Sequence, residues 1–81
     1  MPKLAEELGR LRDAMRGDGT GTREQDKAIR AAADAKEAAA KGDAPATLRY
    51  LKSAGEWTLK IAGKIGVDLA TEALKKAMLP E

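Results

Sequence analysis

The stretch that decides the fold is residues 48–79, LRYLKSAGEWTLKIAGKIGVDLATEALKKAML, which holds most of the large apolar residues of the chain. Its small and aliphatic residues recur at steps of mostly three and four, the spacing of one face of an α-helix. This face comprises Leu48, Leu51, Gly55, Leu59, Ala62, Gly66, Leu69, Ala70, Ala73 and Ala77. Because the phase continues across the glycines, the pattern predicts one long helix over residues 44–78. A bend or a break at 63–66 is the open alternative.

The start of this helix and the end of the one before it are marked by three residues. Gly42 suits the C′ position of a preceding helix, Asp43 suits an N-cap, and Pro45 suits a first turn. The preceding segment is rich in alanine, which has the highest helix propensity. We therefore expect a second helix over residues 23–41. Its start has the form of a capping box, in which the side chains of Thr22 and Gln25 each accept a hydrogen bond from the other's backbone N–H.

The N-terminal segment is predicted to form a short helix over residues 3–16, because Leu4, Leu8, Leu11 and Met15 share one face. A glycine-rich loop joins it to the alanine-rich helix. The sequence thus predicts a single all-α domain over residues 1–81, with three helices packed side by side.

Small residues on two of these helices are expected to let their backbones approach closely. The stripe on the second helix is narrow and nearly all alanine, and it matches the Gly/Ala face of the last helix. The predicted helix-packing residues are Ala28, Ala32, Ala35, Gly55, Ala62, Gly66 and Ala70.

The composition limits the chemistry that this chain can perform. With no cysteine and no histidine, it has no disulfide, thiol nucleophile or imidazole base. Its carboxylates lie among lysines and arginines at helical spacings, so we expect no enzyme activity, no cofactor and no metal site. Aromatic residues make up 2% of the chain, and a core built from alanine buries little apolar area. Self-association or a protein partner is therefore expected.

A second apolar ridge on the last helix is the predicted partner-binding surface. It comprises Tyr50, Trp57, Ile61 and Ile65, which lie about a third of a turn from the Gly/Ala face. Tyrosine and tryptophan are favoured anchors of protein interfaces. The alternative is that the first helix covers this ridge, which would then belong to the core.

The charge pattern bears on two other classes of partner. Basic and acidic residues alternate and sum to +2, whereas nucleic-acid binders concentrate positive charge on one face, so nucleic acid is not the expected ligand. An interfacial helix carries lysines beside its apolar residues, and the last helix has this pattern at Lys60, Lys64, Lys75 and Lys76. A membrane-binding or pore-forming effector is therefore the alternative function.

No signal peptide or long uncharged run is present, and we expect a cytoplasmic protein.

Residues 30–79 resemble a helical module found at the C-termini of uncharacterised bacterial proteins, some of them linked to defence. The resemblance rests on KSAGEW at 52–57, on IAGKIG at 61–66 and on the small residues that follow. It implies a bacterial or phage origin and no catalytic residues. The sequence therefore predicts a protein-interaction or oligomerisation module, acting as an adaptor or regulator in a bacterial defence or stress system.

Overall fold

The computed structural model describes residues 2–79, which form four α-helices joined by short connections. The helices are α1 (Pro2–Asp18), α2 (Arg23–Ala40), α3 (Ala44–Ile65) and α4 (Asp68–Met78). The predicted all-helical fold is confirmed. The prediction of three helices is wrong, because the segment 44–78 forms two helices instead of one.

The chain breaks between α3 and α4 at Gly66, as in the alternative left open by the sequence. Gly66 adopts the left-handed conformation (φ 77°, ψ 32°). The N–H groups of Gly66 and Val67 both donate to the Ala62 carbonyl oxygen, at 3.1 and 3.2 Å. Val67 is 1% exposed, so the turn brings its side chain into the core and sends α4 off in a new direction.

A second interruption lies inside α3, at Gly55, whose φ of 83° and ψ of −175° are not helical. The Thr58 hydroxyl donates to the carbonyl oxygen of Ala54, just before this kink, at 3.0 Å. A Cβ added at Gly55 or at Gly66 would meet no atom within 4 Å. The prediction that these two glycines allow close helix packing is therefore wrong, because they are needed for their backbone conformation.

The predicted helix ends are largely confirmed. The Thr22 hydroxyl accepts a hydrogen bond from the Gln25 N–H at 3.2 Å, but the Gln25 side chain bonds to Thr20 and not back to Thr22. At the other end of α2, the Asp43 N–H donates to the Ala38 carbonyl oxygen at 2.9 Å. The Asp43 carboxylate then accepts from the N–H of Ala46, at 3.1 Å, and caps α3.

The core is built mainly from alanine. Among residues 2–79, eleven of the eighteen buried apolar residues are alanine. They include Ala28, Ala32, Ala35, Ala62 and Ala70 of the predicted packing set. The alanine-bearing α2 contacts both α1 and α3, so its small side chains let two helices approach it instead of one.

The bulk of the core comes from α1 as much as from the last third of the chain. Leu8, Leu11 and Met15 of α1 are fully buried, together with Leu51 of α3 and Leu74 of α4. Helix α4 packs on α3 and α1 and, within the described part of the chain, does not touch α2. Its outer surface is thus left open to solvent.

Candidate protein-interaction site

The predicted ridge does not form one continuous surface. The kink at Gly55 separates Tyr50 from the rest of the ridge, so its two halves lie on helical segments that point in different directions. Ile61 is 4% exposed and belongs to the core, so its predicted role in partner binding is wrong for this conformation. Tyr50, Trp57 and Ile65 are partly buried and pack against the core.

Trp57 lies over the loop between α1 and α2. Its ring atom Cη2 is 3.8 Å from the position that a Cβ on Gly19 would occupy. The same loop is held by Gln25, whose Oε1 accepts from the Thr20 N–H at 2.6 Å. Because the loop and the indole cover each other, Trp57 contributes to the packing of the monomer.

Tyr50 lies in a shallow groove between α2 and α3 that is lined by charged side chains. The guanidinium of Arg49 lies 5.9 Å from the centre of the tyrosine ring, a distance typical of a weak cation–π contact. Lys27, Arg30 and Asp34 line the same groove. The mixture of charges around Tyr50 gives this groove no single electrostatic preference.

The most open apolar side chains lie on or beside α4. Leu69 is 44% exposed and Leu79 is 66% exposed, and they are the exposed large apolar residues in the described part of the chain. An isolated exposed leucine is ordinary. Each of these two leucines lies beside other apolar residues with charged residues around them.

The first cluster, which we call the basic groove, runs between α3 and α4. Its apolar floor is formed by Leu59, Met78 and Leu79. Lys60 and Lys75 form most of its rim, and Glu56 is the acidic member.

The second cluster, which we call the N-terminal patch, lies between the first turns of α1 and α4. Pro2, Leu4 and Leu69 supply its apolar surface, with Lys3 and Glu6 beside them. Glu72 is exposed on α4, three positions after Leu69 and three to four positions before Lys75 and Lys76.

Glu7 of α1 bonds to the first turn of α4. Its Oε1 accepts a hydrogen bond from the N–H of Ala70 at 3.0 Å. Helix α4 has Val67 at its N-cap and no side-chain cap of its own, so a carboxylate from α1 takes that place. The negative charge also lies at the positive end of the α4 dipole.

Helical periodicity across residues 48–79 missed both clusters. It placed Leu69 on the inner face, although Leu69 is 44% exposed, because it carried the phase of α3 across Gly66. One signal could have shown the change of phase. Asp68 comes two residues after Gly66, and a glycine followed within a few residues by an acidic residue is typical of one helix ending and the next beginning.

The structure of residues 2–79 also bears on metal binding and on membrane insertion. In this range no three Asp or Glu side chains come together in a way that could hold a metal ion. None of the four helices combines the length and the hydropathy needed to cross a membrane.

The comparisons with known proteins add no relative to this description. A scan of family models, a search of curated proteins and a search of solved structures found no match to this chain.

Proposed function

We propose that the chain is a helical protein–protein interaction module, and that α4 and the adjoining part of α3 form its contact surface. The observation that carries this proposal is the exposure of Leu69 and Leu79, each inside an apolar cluster with a charged rim. A fold of this size has few large side chains to stabilise its core. Leu69 and Leu79 are the side chains that we propose as anchors of the contact.

The basic groove fits this role better than the sequence-predicted ridge. Ile61 is buried, and Trp57 packs partly against the core and the α1–α2 loop, so neither side chain is as open as Leu79. Leu79 is 66% exposed, and Leu59 and Met78 beside it are partly buried. The energy of such interfaces comes from a few apolar anchors inside a polar rim.

An adaptor or regulatory role in a bacterial defence or stress system is the setting that we propose for this module. It is supported by the resemblance of residues 30–79 to helical modules of bacterial proteins. These residues fold as the second half of α2 followed by α3 and α4, so the proposed contact surface lies inside the segment that carries the resemblance.

Photo-crosslinking in the organism that encodes the chain tests the proposal. A photoreactive amino acid at position 79 or 59 should give a discrete protein adduct. The matched control is position 40, an exposed alanine of α2. Adducts that are no stronger at 59 and 79 than at 40 would contradict the proposed contact surface.

The second candidate function is binding to a membrane surface. It is favoured by the exposed positions of Lys60, Lys75 and Lys76 around the exposed Leu79, an arrangement that suits anionic lipid headgroups. Co-sedimentation with vesicles that contain phosphatidylglycerol separates the two functions. Binding to these vesicles that is lost in Leu79→Glu would support the membrane function, and no binding would exclude it.

A further inference from the structure

The short connection between α3 and α4 has the form of a hinge. Helix α3 ends at Ile65 and α4 begins at Asp68, so Gly66 and Val67 alone separate the two helices. We propose that this hinge opens and that α4 exchanges between two copies of the chain. In the exchanged form α3 and α4 join into one straight helix, and α4 docks on α1 and α3 of the second copy. This exchange goes beyond the proposed function, because it uses the buried face of α4 and not the basic groove.

The backbone at the hinge is already close to that of a continuous helix. The Gly66 N–H donates to the Ala62 carbonyl oxygen, four residues earlier, which is the bond of an α-helix. Beyond the hinge, the Thr71 N–H donates to the Val67 carbonyl oxygen in the same way, at 2.9 Å. A straight helix therefore requires new backbone angles at two residues, Gly66 (φ 77°, ψ 32°) and Val67 (φ −89°, ψ 92°).

Two features stabilise the bent form, and a straight helix needs neither of them. Gly66 adopts the left-handed conformation, which is disfavoured for any L-residue. Glu7 accepts the hydrogen bond of the Ala70 N–H, whereas in a straight helix that N–H donates to the Gly66 carbonyl oxygen. A change at Gly66 or at Glu7 therefore weakens the bent form alone.

The directions of the buried faces decide where a straightened α4 can dock. Ile61 and Ala62 face the core near the end of α3, and Ala70 and Leu74 face it from α4. On one straight helix, with about 100° per residue, these two pairs point about 150° apart. While α3 stays in its own bundle, the buried face of a straightened α4 thus points away from that bundle. A second copy whose own α4 has left offers the matching surface.

The surface that receives α4 is the one that α4 covers in the bent chain. Helix α4 packs there on α3 and α1, with Ala70 and Leu74 fully buried. In a reciprocal exchange each copy gives one α4 and receives one, so these apolar contacts are kept in the dimer. Exchange of an identical element is a low-cost route to a dimer for this reason. Monomer and dimer then differ mainly at the hinge.

The straight helix also accounts for Leu69, which is 44% exposed in the bent chain. When helical periodicity continues through the hinge, Leu69 falls within about 80° of Leu59, Ala62 and Ala73. The apolar face that the sequence predicts is therefore continuous in the open form and interrupted in the bent form. A chain that populates both forms has a use for this continuous pattern.

Two substitutions that weaken only the bent form test the exchange. Gly66→Ala disfavours the left-handed conformation, and its added Cβ would meet no atom within 4 Å, so it acts through the backbone. Glu7→Ala removes the cap of α4. The matched controls are Gly63→Ala, at a position that is helical in both forms, and Glu6→Ala, at an exposed neighbour of Glu7. Circular dichroism checks that all four variants keep their helices.

The chains are refolded from urea at about 1 mM, a concentration that reveals weak association, and their mass is measured by light scattering on dilution. We expect the wild-type chain to form a dimer of twice 8.6 kDa at the highest concentration. Gly66→Ala and Glu7→Ala should each lower the dissociation constant of the dimer roughly tenfold or more, because each dimer contains two hinges. The two controls should change it by less than about threefold.

A crosslink between chains distinguishes exchange from association through the surface. Glu6 and Leu69 are exposed and line the same cluster, so cysteines at both positions of one bent chain should be joined by a short bis-maleimide. Chains with Glu6→Cys and tagged chains with Leu69→Cys, all carrying Gly66→Ala, are then refolded together. We expect an adduct of one tagged and one untagged chain on a denaturing gel.

Three results would overturn the exchange. They are a wild-type chain that forms no dimer at about 1 mM, control variants that change the dissociation constant as much as the test variants, and a dimer that gives no mixed adduct. None of these results would contradict the proposed contact surface, because that surface is present in the bent monomer.

Discussion

At the scale of single residues, the hydrogen bond from the Ala70 N–H to Glu7 joins the first helix to the last. It joins residues 63 positions apart in sequence. Helices usually take their N-cap from the residue next to the first turn. Here Val67 occupies that position and its side chain is buried, so the polar partner has to come from another helix.

We predict that Glu7→Ala lowers the free energy of unfolding by about 1 kcal/mol, the usual effect of losing a helix cap. The measurement is urea denaturation at low protein concentration, where self-association does not contribute. The matched control is Glu6→Ala, since Glu6 is exposed and no hydrogen bond of its side chain is found in residues 2–79. Equal effects of the two substitutions would show that Glu7 does not cap α4.

Buried threonines are a second feature at this scale. Thr47 and Thr58 lie on the core side of α3 and are 1% and 0% exposed. Their hydroxyls donate to the carbonyl oxygens of Asp43 and Ala54, four residues earlier, at 2.7 and 3.0 Å. Because each hydroxyl is satisfied within its own turn, a polar residue can be buried without a partner from another helix.

At the scale of the helices, three glycines with different backbone conformations account for the shape of the C-terminal segment. Gly55 kinks α3 and Gly66 ends it, both with positive φ. Gly63 lies between them, inside the regular part of α3, where an added Cβ would meet no atom within 4 Å. The same amino acid thus has a structural role at two positions and none at the third.

We predict opposite effects of alanine at these positions. Gly66→Ala should destabilise the fold by about 1–2 kcal/mol, because an L-residue is disfavoured in the left-handed conformation. Gly63→Ala should stabilise it by about 0.5–1 kcal/mol, since alanine has the higher helix propensity. Thermal unfolding of the two variants gives the comparison. A stabilised Gly66→Ala would mean that α3 and α4 can join into one straight helix.

At the scale of the whole molecule, α1 and α3 supply most of the large buried side chains of the core. Its Leu8, Leu11 and Met15 are fully buried, and it contacts each of the other three helices. The alanines of α2 can pack closely only against neighbours that carry bulk. Helix α1 provides that bulk on one side, and Leu51 of α3 provides it on the other.

We predict that Leu11→Ala costs about 2–5 kcal/mol, the range for removing a fully buried leucine. A domain of this size has a total stability of roughly 4–12 kcal/mol, so the variant should be largely or partly unfolded near 37 °C. The matched control is Leu69→Ala, which removes the same atoms from an exposed position and should change stability by less than about 0.5 kcal/mol. Circular dichroism during heating measures both. Similar losses would show that α1 is not central to the core.

The sequence by itself determined the helical class, the helices before residue 44 and the alanine contact between α2 and α3. These features rest on local propensity, caps and periodicity, which act over a few residues. The tertiary structure decided how the helix faces are oriented after each glycine with positive φ, because helical periodicity does not continue through such a residue. It set the kink at Gly55, the break at Gly66 and the phase of α4, and through that phase it placed Leu69 and Leu79 in water. A helical wheel assumes one continuous axis. Once the axis changes direction, the face that a residue occupies depends on the helices against which its own segment packs.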